Sequence, residues 1–218
     1  MVAYAYAQPS TKTKVETRLN KIGMEKGYLP VTNYSPLEYG AMPQNWAIVQ
    51  DHRGVMYIAN NEGILEYDGK KWRQIVLPDD PNIRSLSISE EGTIYVGAQS
   101  DFGYLAPDST GELVYFSLLK YLAKKDHDFF DVWTNYVTAD GVYFQSLNKI
   151  FLWTGDTIKV WNSKTEPGVR FHLMFYVDST IYVQQDGVGL MKIVDEQLVV
   201  IQGGELFKEQ KIYFMIEY

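Results

Sequence analysis

Hydrophobic and polar positions alternate in short runs from about residue 29 onward, and the runs are grouped. Trp46-Ala47-Ile48-Val49-Gln50-Asp51, a polar turn at His52-Arg53-Gly54, and Val55-Met56-Tyr57-Ile58-Ala59-Asn60 read as apolar strand, turn, apolar strand. A period of two predicts strands with one face toward a core. The phrase returns at residues 83–98, 132–144 and 171–183, and a fifth copy begins at Ile212-Tyr213-Phe214-Met215-Ile216. The matched tyrosines Tyr57, Tyr95, Tyr143 and Tyr182 set a period of roughly 40 residues, the range of stacked sheet repeats. The longer interval between Tyr95 and Tyr143 marks an insertion at residues 118–131.

That period holds four strands per unit. In the first unit, Ile64-Leu65-Glu66-Tyr67 and Lys71-Trp72-Arg73-Gln74-Ile75 complete the set, joined by Asp68-Gly69. Asp-Gly marks a tight hairpin because both residues tolerate the left-handed backbone. The later units supply Phe102-Gly103-Tyr104-Leu105-Ala106 with Leu113-Val114-Tyr115-Phe116, then residues 149–153 with 157–161, then 189–193 with 197–201. Repeated four-stranded units predict an all-β fold, a β-propeller. A β-sandwich has no reason to repeat a four-strand phrase. Four units and one further strand predict an incomplete arc of about four blades plus the first strand of a fifth. Leu29-Pro30-Val31-Thr32-Asn33-Tyr34 stands where an outer strand would lead into the first unit. Unpaired ends of such an arc are expected to self-associate, because open edges invite pairing.

Composition adjusts this picture in a few places. Aromatic residues make up 15% of the 218-residue chain, which favours sheet. The net charge of -7 argues against a nucleic-acid partner, since phosphate binding needs a positive field. With no cysteine, disulfides, thiol nucleophiles and cysteine metal cages are excluded. No apolar run reaches the ~20 residues that cross a bilayer as helix, so no membrane segment is expected within the chain. Residues 1–28 lack periodicity and read as a leader, with residues 29–218 as the propeller domain. Ala5-Tyr6-Ala7 has the small-x-small form of an export cleavage site, but no basic segment precedes it. An export-signal remnant and a flexible segment both remain open.

Catalytic and metal motifs are weak. Asp101-Phe102-Gly103 matches the kinase magnesium triplet, without the glycine-rich loop or catalytic loop it requires. His52, His127 and His172 lack close metal-ligand spacing. Asp126, Asp128 and Asp131 lack the glycine and terminal glutamate of a calcium loop and read as a solvated insertion. Asp51, Glu62, Asp101, Asp140 and Asp186 fall near blade turns, where Asp51 and Asp140 recur as turn residues. A glycosidase needs two carboxyl groups flanking one bond. No metal and no cofactor are expected. The binding reading rests instead on flat rings and amides near strand ends: Asn45, Trp46, Asn60, Gln99, Trp133, Asn135 and Gln184. Rings stack and amides orient, a combination suited to glycans and peptides. The alternative for Trp46 and Trp133 is a wedge between blades, and for the amides a bond to loop backbone.

Asn33-Tyr34-Ser35-Pro36-Leu37-Glu38-Tyr39-Gly40, followed by Gln44-Asn45-Trp46-Ala47-Ile48-Val49-Gln50-Asp51, closely resembles the two-component regulator propeller repeat of bacterial sensor proteins, frequent in the Bacteroidetes. Gly63-Ile64-Leu65-Glu66-Tyr67-Asp68-Gly69 and residues 96–105 resemble its later elements. The resemblance covers residues 30–218 and is weak over 119–170. It implies a periplasmic or extracytoplasmic sensor, followed in such proteins by more blades, a membrane helix and an output domain. Ligands in that family are often glycan fragments. The expectation is therefore a non-enzymatic, ligand-sensing propeller fragment of a signal receptor. The alternatives are a propeller lyase or glycoside hydrolase, and a structural protein-interaction propeller.

Overall fold

The computed structural model describes residues 31–163 and 169–217. The expectations for residues 1–28, and for Leu29 and Pro30, lie outside the described residues. Residues 31–34 belong to a separate unit from residues 35–218 and are in no strand, so the leading outer strand is not seen in its described part.

Residues 35–218 open on a one-turn helix, Pro36–Tyr39. Proline at its first turn suits a position with no hydrogen bond to lose. The Glu38 carboxylate accepts from the Ser35 amide and hydroxyl. Among the described residues sixteen strands follow, in four sheets. Blade 1 is β1 (Asn45–Gln50), β2 (Met56–Asn60), β3 (Gly63–Tyr67) and β4 (Trp72–Ile75). Blade 2 is β5 (Ile83–Ile88), β6 (Ile94–Ala98), β7 (Asp101–Pro107) and β8 (Leu113–Ser117). Blade 3 is β9 (Thr134–Thr138), β10 (Gly141–Gln145), β11 (Lys149–Trp153) and β12 (Ile158–Asn162). Blade 4 is β13 (Phe171–Val177), β14 (Thr180–Gln185), β15 (Gly189–Val194) and β16 (Gln197–Val200). Within each blade, every strand pairs antiparallel with the next in sequence. The fold is a partial β-propeller.

Each sheet buries its faces against its neighbours. One core joins blades 1 and 2 through Tyr57, Ile64, Ile83, Val96 and Leu105. A second joins blades 2 and 3 through Phe102, Phe144 and Phe151, closed by Leu118, Leu122 and Phe129 of the insertion. Phe102 lies 4.8 Å from Phe144 and 4.7 Å from Phe151. A third joins blades 3 and 4 through Tyr143, Leu152, Phe171, Ile181 and Met191. No core among the described residues joins blade 4 to blade 1. On β1, Ile48 is 58% exposed. The first β-hairpin turn shows what Asp51 does at the end of the inner strand. Asp51 accepts from the amides of Arg53 and Val55 and from the Arg53 guanidinium. Burial opposes its charge, but these donors hold the carboxyl below the usual range.

Two expectations need correction. Residues 211–217 are in no strand. A ladder needs a partner strand, and this segment instead meets blade 4 through side chains: the Ile212 amide donates to Gln184 Oε1 at 2.7 Å, and His172 meets Tyr213 edge to face at 4.9 Å. The acidic insertion is not simply solvated. Asp126 and Asp128 both approach the ammonium of Lys149, a buried residue, at 3.3 and 3.1 Å. Asp131 pairs with Arg84 at 3.0 Å. A buried cation needs a partner, and the insertion supplies it.

Candidate functional site

The inner strands carry a recurring irregularity at their first residues. Register shifts between Asn45 and Ala47 in β1, and between Ile83 and Ser85 in β5. The bulged residues are Trp46 and Arg84. A bulge bends the strand and re-aims its side chain. Blade 4 has a related shift between Phe171 and Met174, which includes His172. Blade 3 pairs without a shift, and Trp133 precedes β9 with its amide donating to Gln145 O at 2.9 Å. The same end of three successive inner strands therefore presents Trp46, Arg84 and Trp133.

These three side chains meet. Trp46 and Trp133 pack edge to face, with ring centroids 5.7 Å apart. The Arg84 guanidinium carbon lies 4.5 Å from the Trp46 ring centre and 5.1 Å from that of Trp133. Each such contact is worth about 0.5–2 kcal/mol, more as water is excluded. The Arg84 side chain is only 13% exposed. Its Nε donates to Asp131 Oδ1 at 3.0 Å, and Nη1 donates to Asn61 Oδ1 at 3.2 Å. The same Asn61 oxygen accepts from Trp46 Nε1 at 2.8 Å. Among the described residues no protein group takes a hydrogen bond from Arg84 Nη2. The result is a held aromatic rim with one guanidinium amino group left to donate, and Trp46 is still 39% exposed.

The amides predicted from sequence divide differently. Asn60 is fully buried. Its amide donates to Met42 O and to Asn45 Oδ1, and its oxygen accepts from the Glu62 amide. Asn45 and Asn60 thus fix the loop beside Trp46. Gln184 is also buried; it donates to Phe207 O and Gln210 O and accepts from Ile212 N. Gln99 is exposed and accepts from Asn82 at 2.9 Å. Asn135 is buried and donates to Tyr95 O at 3.0 Å, while its Oδ1 has no partner among the described residues. The structure brings Trp46 and Trp133 together and spends most of the amides on backbone.

Sequence reasoning missed Arg84, Asp131 and Asn61. A signal for Arg84 was present: it stands as far before Tyr95 as Trp46 stands before Tyr57. Among the described residues, no cluster of three histidine or carboxylate side chains forms a metal site. No helix among them is long and apolar enough to cross a membrane.

No protein-family model matches the chain, and no curated protein matches it. The fold itself has solved counterparts. A catalytically inactive virginiamycin B lyase from Staphylococcus aureus aligns with TM-score 0.56 at 14% identity, over 72% of this chain and 56% of the lyase. A streptogramin B lyase aligns with TM-score 0.54 at 15% identity, over 71% and 53%. The extracellular domain of the hybrid two-component system BT3049 from B. thetaiotaomicron aligns with TM-score 0.50 at 13% identity, over 69% of this chain and 21% of that one. This chain therefore spans about half of the lyases and a fifth of the receptor domain. At these identities the likeness is one of fold. The class defined is the β-propeller, shared by extracellular sensor domains and by lyases.

Proposed function

We propose that residues 29–218 are a ligand-sensing, non-enzymatic propeller segment of an extracytoplasmic bacterial signal receptor, with residues 1–28 as its leader. The observation that carries this reading is the rim of Trp46, Arg84 and Trp133. Its rings offer stacking area. Among the described residues the Arg84 Nη2 amino group and the Trp133 indole N–H meet no protein acceptor, and both suit a hydroxyl or carboxylate oxygen. Such a surface recognises an oligosaccharide fragment or a peptide and supplies no nucleophile or general base. The repeat resemblance and the shared fold of the receptor domain support the extracytoplasmic, periplasmic placement. Further blades and the remaining receptor domains are the partners this reading calls for. The test is a glycan and peptide array on the purified chain, followed by mass analysis of each bound compound after prolonged incubation. The sensor reading expects bound compounds recovered unchanged. Cleaved or rearranged product would overturn it in favour of a propeller lyase or glycoside hydrolase.

A further inference from the structure

A second concave site lies between blades 3 and 4, at the other end of the strands from the rim: Trp133 precedes β9, and Thr138 at its far end lines this cleft. The cleft holds about 400 Å³, within the range of small-molecule sites. Its aromatic lining is Tyr143 of β10, Trp161 of β12 and Tyr176 of β13. Tyr143 and Trp161 are stacked, with centroids 6.1 Å apart and planes 29° from parallel.

A clamp across the two blades fixes this lining. Residues of one strand alternate faces, so Lys159 and Trp161 point the same way from β12. Both reach Glu196 in the turn between β15 and β16. Lys159 Nζ pairs with Glu196 Oε1 at 2.5 Å, and Trp161 Nε1 donates to the Glu196 carbonyl at 2.7 Å. Asp195 and Glu196 both have left-handed backbone, φ 47° and 62°, which is the turn type that suits a two-residue hairpin. The clamp also settles the charge balance. Lys159 is the cation of the lining, and Glu196 consumes it. Asp140 and Asp195 remain, with no ion pair among the described residues.

Tyr143 adds an independent sign of a ligand. It is 4% exposed and lines the cleft, yet no protein group among the described residues pairs with its hydroxyl. The ring is buried while the hydroxyl opens into the cleft, where a ligand can meet it. Burial, and then the negative charge of Asp140, raise its pKa, so the carboxylate field reaches the phenol. Aromatic rings under an uncompensated negative field attract an organic cation.

We propose that this cleft binds a small organic cation, with its ammonium group against the aromatic lining and its charge balanced by Asp140 and Asp195. Any hydroxyl the cation carries finds the Tyr143 phenol. The proposal does not depend on the sensor reading, since it concerns a different site.

Choline is a suitable probe, compared by isothermal titration with its uncharged isostere bearing a tert-butyl group in place of trimethylammonium. Choline is expected to bind wild-type protein, the isostere at least about tenfold more weakly. Asp140 is exposed, so Asp140→Asn should leave the melting temperature unchanged and weaken choline about tenfold. Tyr143→Phe should weaken choline and its isostere alike, because both carry the hydroxyl that meets the phenol. Absence of choline binding to the wild type, equal binding of choline and isostere, or wild-type affinity in Asp140→Asn would each overturn the proposal.

Discussion

Trp46 of blade 1 and Trp133 before blade 3 touch across the bulge of blade 2, and the Arg84 guanidinium covers both rings. A contact between non-adjacent blades needs the inner strands to converge, which is what a propeller arrangement produces. Arg84→Met keeps an unbranched apolar stem of similar reach and removes the charge. It leaves Asp131 without its guanidinium. We expect loss of about 1–3 kcal/mol of stability, read as a lower melting temperature, with weaker ligand binding. Unchanged stability and binding would show the stack to be incidental.

Gly97 on β6 marks a close approach between blades 2 and 3. A Cβ there would come within 2.2 Å of Ser85 Oγ and 2.8 Å of Val132 O, while Ser85 Oγ donates to that same carbonyl at 3.0 Å. Gly97→Ala should cost about 1–3 kcal/mol by overpacking. Denaturant unfolding reads this directly, and a neutral result would show that the inner strands have room to separate.

The pH dependence of stability should carry the mark of Asp51. Its folded pKa lies below the unfolded value because the Arg53 and amide donors outweigh burial. Its stabilising contribution is therefore full above the unfolded pKa of about 4 and is lost as pH falls through the folded pKa. Asp51→Asn removes the titration. The gap in melting temperature between wild type and Asp51→Asn should be widest near neutrality and narrow below about pH 4. A gap independent of pH would contradict the assigned hydrogen bonds.

Asp101 should show the opposite sign. Burial raises its pKa, partly offset by bonds from Ser117 Oγ and the Phe102 amide. Its ionisation above the folded pKa costs stability, so wild type loses stability as pH rises through that value. Asp101→Asn keeps an oxygen for the same donors and escapes this cost. It should melt at or above the wild-type temperature at neutral pH. A large drop would mean the carboxylate charge itself is needed there.

The blades were legible because each one alternates its faces and punctuates its turns with Gly and Asp. Tyr57, Tyr95, Tyr143 and Tyr182 keep step because each sits in its blade's second strand. Residues 212–216 have the same alternation but no ladder, since alternation reports side-chain burial and not the presence of a neighbouring strand. The rim was half legible. Trp46 and Trp133 stand out by type, whereas Arg84 occupies the matched position with different chemistry. Asp126, Asp128 and Asp131 looked solvated because their partners, Lys149 and Arg84, are distant in the chain. Asn60 and Gln184 drew attention as free amides, and only the fold shows that loop backbone engages them.

Exposed apolar surface on the outer blades gives a further expectation. Ile48 on β1, Val199 and Val200 on β16, and Phe214 and Ile216 beyond them are exposed. Light scattering after size exclusion should show mass rising with concentration, as contiguous apolar patches seek cover. A constant monomer mass at high concentration would refute self-association.

The central claim is that the aromatic rim contacts a ligand that the chain does not convert. Titration of an array-selected ligand into wild type and Trp133→Ala, alongside their melting temperatures, tests it most directly. The account predicts at least about tenfold weaker binding with a small change in melting temperature, and ligand recovered intact from the wild type. Wild-type affinity in Trp133→Ala, together with a large fall in melting temperature, would contradict it and make Trp133 a packing residue between blades.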